Sequence, residues 1–180
     1  KIKSSSIQRE LSTIMAVLNR ASKKHRFKWQ IEKADVKETP SNSRHPLEPH
    51  HQLELVQAVL TQQIKPENGV IILLCLQGGM MVTEIKRLKP EDIALDAVVP
   101  HLRKRIVPVV LGLELIREYL GQTIHWLNKV TETGPSYAVT KAMRDTIDSP
   151  YTSPHCLRHT FKINGQNAGV SVLTLASIAG

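Results

Sequence analysis

The most informative stretch of the sequence is SPHCLRHT, at residues 153–160. It places His155, a titratable imidazole, and Arg158, a permanent cation, near the start of one predicted helix. A spacing of three residues puts both side chains on the same helical face. Arg presents a fork of donors to the oxygens of a phosphodiester, and His can accept or return a proton near neutral pH. Spacing alone favours a simpler interpretation, two surface residues at a helix cap, so the rest of the chain must decide.

Length and composition predict one ordinary domain with a helical extension. The chain has 180 residues, of which 41% are hydrophobic and only 4% aromatic, so its core must be built from aliphatic side chains. The two cysteines, Cys75 in an apolar run and Cys156 beside charged residues, do not indicate a disulfide framework. The longest apolar run, Val70 to Leu76, is too short to span a bilayer. These features predict a soluble protein of a reducing cytosol.

The positive charge is concentrated near the amino terminus. Residues 1–46 hold 11 basic and 4 acidic side chains, whereas residues 47–180 hold 13 and 12. A local excess of this kind favours a polyanionic partner, because each neutralised phosphate releases condensed counterions. Charge therefore favours nucleic acid modestly.

Apolar residues at helical spacing predict an amphipathic helix over residues 6–24, followed by a polar, Pro-containing linker over residues 28–46. Further helices are predicted at residues 48–63, 69–76, 83–88, 113–127, 137–147, 155–166 and 171–178. The segment at 69–76 is apolar on nearly every side and is expected to be central to the core. β-Branched residues within 97–110, separated by the basic cluster at 101–105, predict a small hairpin with a cationic tip.

These motifs together resemble the tyrosine recombinases, or phage integrases. The stretch HCLRHT at 155–160 is similar to that family's H-x-L-R-H-T signature. Upstream, GMMVTEI at 79–85 and EDI at 91–93 are similar to its G-x-R-x-S-E-L turn and W-x-D-I segment, and RIVP at 105–108 resembles its R-x-V-P strand. Residues 173–180 look like the helix that leads into its L-G-H motif. The order of the motifs agrees over residues 47–180.

The resemblance implies a mainly α fold with a small antiparallel β-sheet, that of the tyrosine-recombinase catalytic domain. Residues 1–27 would be a basic helix that ends the core-binding domain, residues 28–46 a linker, and residues 47–180 a catalytic domain that lacks its C-terminal end. In this family a tyrosine attacks the scissile phosphate, leaving a 3′-phosphotyrosyl link and a free 5′-hydroxyl. No metal or cofactor is implied, because the covalent intermediate stores the bond energy.

The same resemblance implies particular roles for residues of the predicted site. By position, Arg158 would hold the phosphate and His155 would assist proton transfer or bind an oxygen. Met81 stands where the family has its first arginine, and it can neither donate a hydrogen bond nor carry charge. Lys104, with Arg103 beside it, is the candidate for the family's lysine in the sheet. The nucleophilic tyrosine would lie beyond Gly180, so the chain is expected to be inactive by itself.

The implied partner is duplex DNA, with self-association on DNA in the full-length protein and no membrane partner. Localisation would be cytoplasmic and nucleoid-associated, in a bacterium or phage-infected cell. The basic residues of the first helix, of the hairpin and of the signature are expected to contact DNA; they are Arg9, Arg20, Lys23, Lys24, Arg103, Arg105 and His159.

Two alternative functions remain open at this point. A non-catalytic DNA-binding protein could keep the fold and lose the chemistry, as Met81 suggests. A helical interaction domain could instead pack its basic helix against an acidic protein. His155 and His159 are spaced like two ligands of a helical zinc site, but a third ligand is not apparent, so no metal is expected.

Overall fold

The structure, a computed structural model, describes residues 4–26, 45–94, 96–100, 105–122 and 134–180. It divides into two compact units, Lys1–Ser41 and Asn42–Gly180. Most of the linker predicted at 28–46 lies outside the described residues, so that prediction stays a prediction. None of the helices in the described ranges combines the length and the hydropathy needed to cross a membrane.

The first unit contains one described helix, α1 (Ser4–His25). Its apolar residues recur at helical spacing, yet Ile14 and Val17 are more than half exposed. Lys23 and Lys24 lie in its last turn, where cations interact favourably with the negative end of the helix dipole. The prediction of a helix at residues 6–24 is confirmed.

The second unit is built mainly from helices. They are α2 (Pro49–Leu60), α3 (Pro66–Gly78), α4 (Val82–Ile85), α5 (Leu113–Gln122), α6 (Pro135–Thr146), α7 (Pro154–Asn167) and α8 (Val172–Ala179), with a 3-10 turn at Pro90–Asp92. Proline stands at the first position of four of the helices, where its fixed φ fits and its missing N–H costs nothing.

Helix α3 is the centre of the core. Its residues from Gly69 to Cys75 are all buried, and it packs against α2, α5, α6 and α7. A helix that is apolar on every side must be surrounded by other elements, and this confirms the position predicted for residues 69–76. Gly79 ends the helix in the left-handed conformation (φ +58°), and its N–H donates to the Cys75 carbonyl.

The sheet is a short antiparallel hairpin of β1 (Ala97–Val98) and β2 (Val107–Pro108). Val98 pairs with Val107, and both side chains are fully buried against the helical core. The predicted hairpin is therefore confirmed, although its paired segments are shorter than the β-branched runs. Of the basic cluster predicted at residues 101–105, residues 101–104 lie outside the described residues.

Candidate active site

The signature stretch forms the start of α7. Ser153 is the N-cap residue, and its hydroxyl accepts a hydrogen bond from the Cys156 N–H at 3.1 Å. Cys156 and Leu157 point into the core, whereas His155 is exposed. The burial of one face of α7 thus leaves the imidazole on the outer face of its first turn.

His155 and Arg158 line one open cavity, which we call the α7 cavity, together with the turn that contains Met81. Its volume is about 380 Å³. The lining residues come from the turn and start of α4, from α6 and from the start of α7; they are Met80, Met81, Val82, Thr83, Ser136, Thr140, Ser153, Pro154, His155 and Arg158. The structure therefore brings together the histidine, the arginine and the methionine that the sequence singles out.

Arg158 is held by two backbone carbonyls that are distant in sequence. Its Nη1 donates to the Gly79 carbonyl, and its Nη2 donates to the Gly180 carbonyl at 2.8 Å. Nη1 also lies 3.9 Å from Glu84 Oε2, and only 11% of the Arg158 side chain is exposed. The guanidinium is thus anchored in a defined orientation rather than extended into solvent.

Arg105 does not occupy the position expected of a DNA contact at a hairpin tip. Its side chain is buried, and its Nη2 lies 2.9 Å from both carboxylate oxygens of Glu84. Its Nη1 donates to the carbonyl of Ile178 at the end of α8. The guanidinium is thus buried between these acceptors rather than exposed on the surface, and the DNA contact expected of Arg105 stays a prediction.

The other predicted DNA contacts are distributed over the chain. Arg20, Lys23 and Lys24 are exposed on α1, and His159 is half-buried on α7. The side chain of Arg9, and the whole of Arg103 and Lys104, lie outside the described residues. The roles of all these residues remain predictions.

The two cysteines are not reactive groups of this site. Burial raises the pKa of Cys75 to about 12, an effect that the positive charge of Arg158 partly opposes. Burial also raises the pKa of Cys156 to about 11. Since the thiolate is the nucleophilic form, both side chains stay neutral and unreactive at physiological pH. Both are free within the described residues, as expected of small core side chains.

Several solved structures have the same arrangement of helices. The Tn1549 transposon integrase, in complex with circular intermediate DNA, superposes with a TM-score of 0.67 at 16% identity, over 99% of this chain and 72% of that chain. The XerA recombinase superposes with a TM-score of 0.64 at 17% identity, over 99% and 74% of the two chains. The catalytic domain of bacteriophage HP1 integrase gives 0.51 at 23%, over 76% and 80%.

The chain has the tyrosine recombinase fold. This confirms the predicted fold class, a mainly α catalytic domain with a small antiparallel sheet. No protein-family profile matches the sequence, and no curated protein matches it. At these levels of identity the likeness establishes the fold, and the function has to be argued from the site.

Within the tyrosine recombinase fold, sequence reasoning missed three residues at or next to the site. Ser136 and Thr140 of α6 line the α7 cavity. They are four residues apart, just after Gly134-Pro135, and this spacing, which puts both on one helical face, was the signal in the sequence that could have found them. The sequence gives no sign that Glu84 contributes, yet its Oε2 also accepts a hydrogen bond from the Met81 N–H at 2.8 Å. It therefore links the turn at Met81 to Arg105.

Proposed function

We propose that this chain binds duplex DNA with a backbone phosphate in the α7 cavity, as the catalytic-domain portion of a site-specific recombinase that breaks and rejoins DNA. The observation that carries the proposal is the common cavity of His155, Arg158 and Met81. A solved neighbour of the same fold, the Tn1549 integrase, is in complex with DNA. Exposed basic residues of α1 would add contacts to the DNA backbone.

The α7 cavity has the chemistry that a phosphodiester requires. A guanidinium can donate paired hydrogen bonds to non-bridging oxygens, and the positive end of a 14-residue helix adds to the attraction. His155, on the first turn of α7, could bind an oxygen or exchange a proton with it. We therefore assign phosphate binding to Arg158 and assistance of proton transfer to His155.

In the proposed reaction a tyrosine oxygen attacks phosphorus while the bond from phosphorus to the 5′ oxygen breaks. The tyrosine loses its proton, and the departing oxygen gains one to become a 5′-hydroxyl. The tyrosines of the chain, Tyr119, Tyr137 and Tyr151, all belong to the described residues, and none of them lines the cavity. The nucleophile of the proposed reaction is therefore not one of the tyrosines that the structure describes at this cavity.

A second candidate function, DNA binding without cleavage, is favoured by Met81. Its side chain lines the cavity but offers neither charge nor a hydrogen-bond donor to a phosphate. By analogy with the loss of one oxyanion donor, cleavage would slow by about 100- to 1,000-fold. Such a protein would keep its affinity for DNA while losing the chemical step.

Duplex binding by Arg158→Ala tests the phosphate site. Removing one charge-assisted contact should weaken binding about 10- to 100-fold, as expected for hydrogen bonds to charged groups. The slope of log affinity against log salt concentration should become shallower by about 0.9, the contribution of one phosphate. Both quantities can be measured by fluorescence anisotropy with a labelled duplex at several salt concentrations.

Arg117→Ala is the matched control for this experiment. It removes the same charge from α5, where Arg117 pairs with Glu114 at 3.1 Å and does not line the cavity. Equal losses in the two variants would mean that only net charge matters, and that the cavity holds no phosphate. Failure of the unmodified chain to bind DNA would favour a helical protein-interaction domain instead.

A nicked suicide duplex separates the recombinase from the non-catalytic binder. A form of the protein that continues past Gly180 and carries the expected tyrosine should form a covalent protein–DNA product, visible as a shifted band on a denaturing gel. Met81→Arg should raise the rate of its formation by about 100-fold or more, and Met81→Leu, the control, should not. Absence of product even with Met81→Arg would identify a binder.

A further inference from the structure

Arg105 connects three parts of the second unit that are distant in sequence. It lies just before β2, and its Nη2 contacts both oxygens of Glu84, on α4, at 2.9 Å. Its Nη1 donates to the Ile178 carbonyl on α8. Both side chains of the ion pair are 7% exposed. A planar guanidinium held by acceptors on two elements fixes their relative position more firmly than a lysine could.

Glu84 faces a second guanidinium, that of Arg158. The distance from Arg158 Nη1 to Glu84 Oε2 is 3.9 Å, longer than the distance from Arg105 to the same carboxylate. A buried carboxylate that loses its closest cation is strongly destabilised and attracts any other cation within reach. Loss of Arg105 should therefore draw Arg158 toward Glu84 and away from the α7 cavity.

The two arginines also share the end of α8. Arg105 binds the carbonyl of Ile178, and Arg158 binds the carbonyl of Gly180. Arg158 additionally binds the Gly79 carbonyl, in the turn next to Met81. The orientation of Arg158 thus depends on an α8 end and an α4 carboxylate that Arg105 itself holds in place.

We propose that Arg105 is a positioning residue for the α7 cavity. It pairs with the Glu84 carboxylate and donates a hydrogen bond to the end of α8, so that the Arg158 guanidinium stays directed toward a bound phosphate. The proposal rests on the proposed function of the cavity, and it gives Arg105 an indirect role where the sequence predicted a direct DNA contact.

A double-mutant cycle tests this role. Arg105→Met should weaken duplex binding about 3- to 10-fold, within the range of coupling between residues of one salt-bridge network. In the Arg158→Ala background the same change should have no further effect, because Arg105 acts through Arg158. Arg105→Lys, which keeps a cation near Glu84 and is the safer variant for folding, should recover part of the lost affinity. All affinities are measured at a temperature at which circular dichroism shows each variant to be folded.

Two results of the cycle would overturn the proposal. Additive losses would mean that Arg105 contacts DNA directly, and an unchanged affinity with a lowered Tm would mean that it only stabilises the fold. The Nε–Hε resonance of Arg158, observed by NMR without DNA, provides an independent readout. This resonance should shift in Arg105→Met, and an unchanged resonance would overturn the positioning role. The measurement needs no DNA, so it tests that role separately from the proposed function, which fails if Arg158→Ala binds DNA normally.

Discussion

At the scale of single residues, Cys75 is a core side chain that interacts electrostatically with Arg158 and Glu84. It lies within α3, and its burial raises its pKa to about 12; the positive charge of Arg158 opposes this rise and the negative charge of Glu84 adds to it. The central helix therefore passes within electrostatic range of the groups around the α7 cavity. The titration of the Cys75 thiol therefore reports on the burial and the charges around it.

Stability should fall at alkaline pH because of Cys75. The thiol pKa is about 8.5 in an unfolded chain and higher in the folded protein, so its contribution is fully present below that value and declines as pH rises toward 12. The decline should approach about 1 kcal/mol per pH unit above pH 9. Urea unfolding between pH 8 and about 10.5 should show a steeper loss in the unmodified chain than in Cys75→Ala. Parallel profiles would show that the thiol is not desolvated as described.

Sequence predicted the residues of the cavity better than the contacts beneath it. His155 and Arg158 share one helix turn, so their proximity follows from local geometry, and Met81 was located by a motif. The pairing of Arg105 with Glu84 joins positions 21 residues apart and depends on how the hairpin packs on α4. No local pattern distinguishes such a buried arginine from a solvated one.

At the scale of elements, the turn after α3 determines where the cavity begins. Gly79 has a φ of +58°, and a Cβ built there would lie 2.6 Å from Phe161 Cδ1 and 3.2 Å from Ala179 Cβ. The turn, α7 and α8 are thus in close contact around a position where only glycine fits. The Gly79 carbonyl in this same turn accepts from Arg158.

Gly79→Ala should destabilise the protein by about 2–5 kcal/mol, the sum of left-handed backbone strain and overpacking. Gly134→Ala is the matched control, because Gly134 has a φ of +77° and nothing within 4 Å of the added Cβ. The control should lose only the backbone term, about 1–2 kcal/mol. Urea unfolding measures both changes. Equal losses would mean that the packing of Phe161 and Ala179 against the turn is not as described.

The helices were predicted to within a few residues, and the strands less well. Proline at the first helical position marks α2, α3, α6 and α7 in the sequence itself, together with periodic apolar spacing in α2, α6 and α7 and a continuous apolar run in α3. Around β2, burial alternates from Arg105 to Val110, as a strand pattern requires, but pairing is limited to Val107 and Pro108. Hydrogen-bond pairing depends on the partner strand, which the residue pattern of one segment does not specify.

At the scale of the whole molecule, most of the excess positive charge lies outside the unit that contains the α7 cavity. Residues 1–41 carry 10 of the 24 Lys and Arg residues and 4 of the 16 acidic residues, whereas the second unit, which contains the cavity, carries 14 and 12. We propose that the basic helix supplies affinity that is independent of DNA sequence, and that the cavity selects one phosphate.

The most direct test is the structure of the chain bound to a short duplex. We predict a backbone phosphate in the α7 cavity, with a non-bridging oxygen about 2.7–2.9 Å from an Arg158 Nη atom, the distance of a charge-assisted hydrogen bond. His155 should contact the same phosphate. A duplex bound on another face, with Arg158 still bonded to the carbonyls of Gly79 and Gly180 and to no phosphate, would contradict the account.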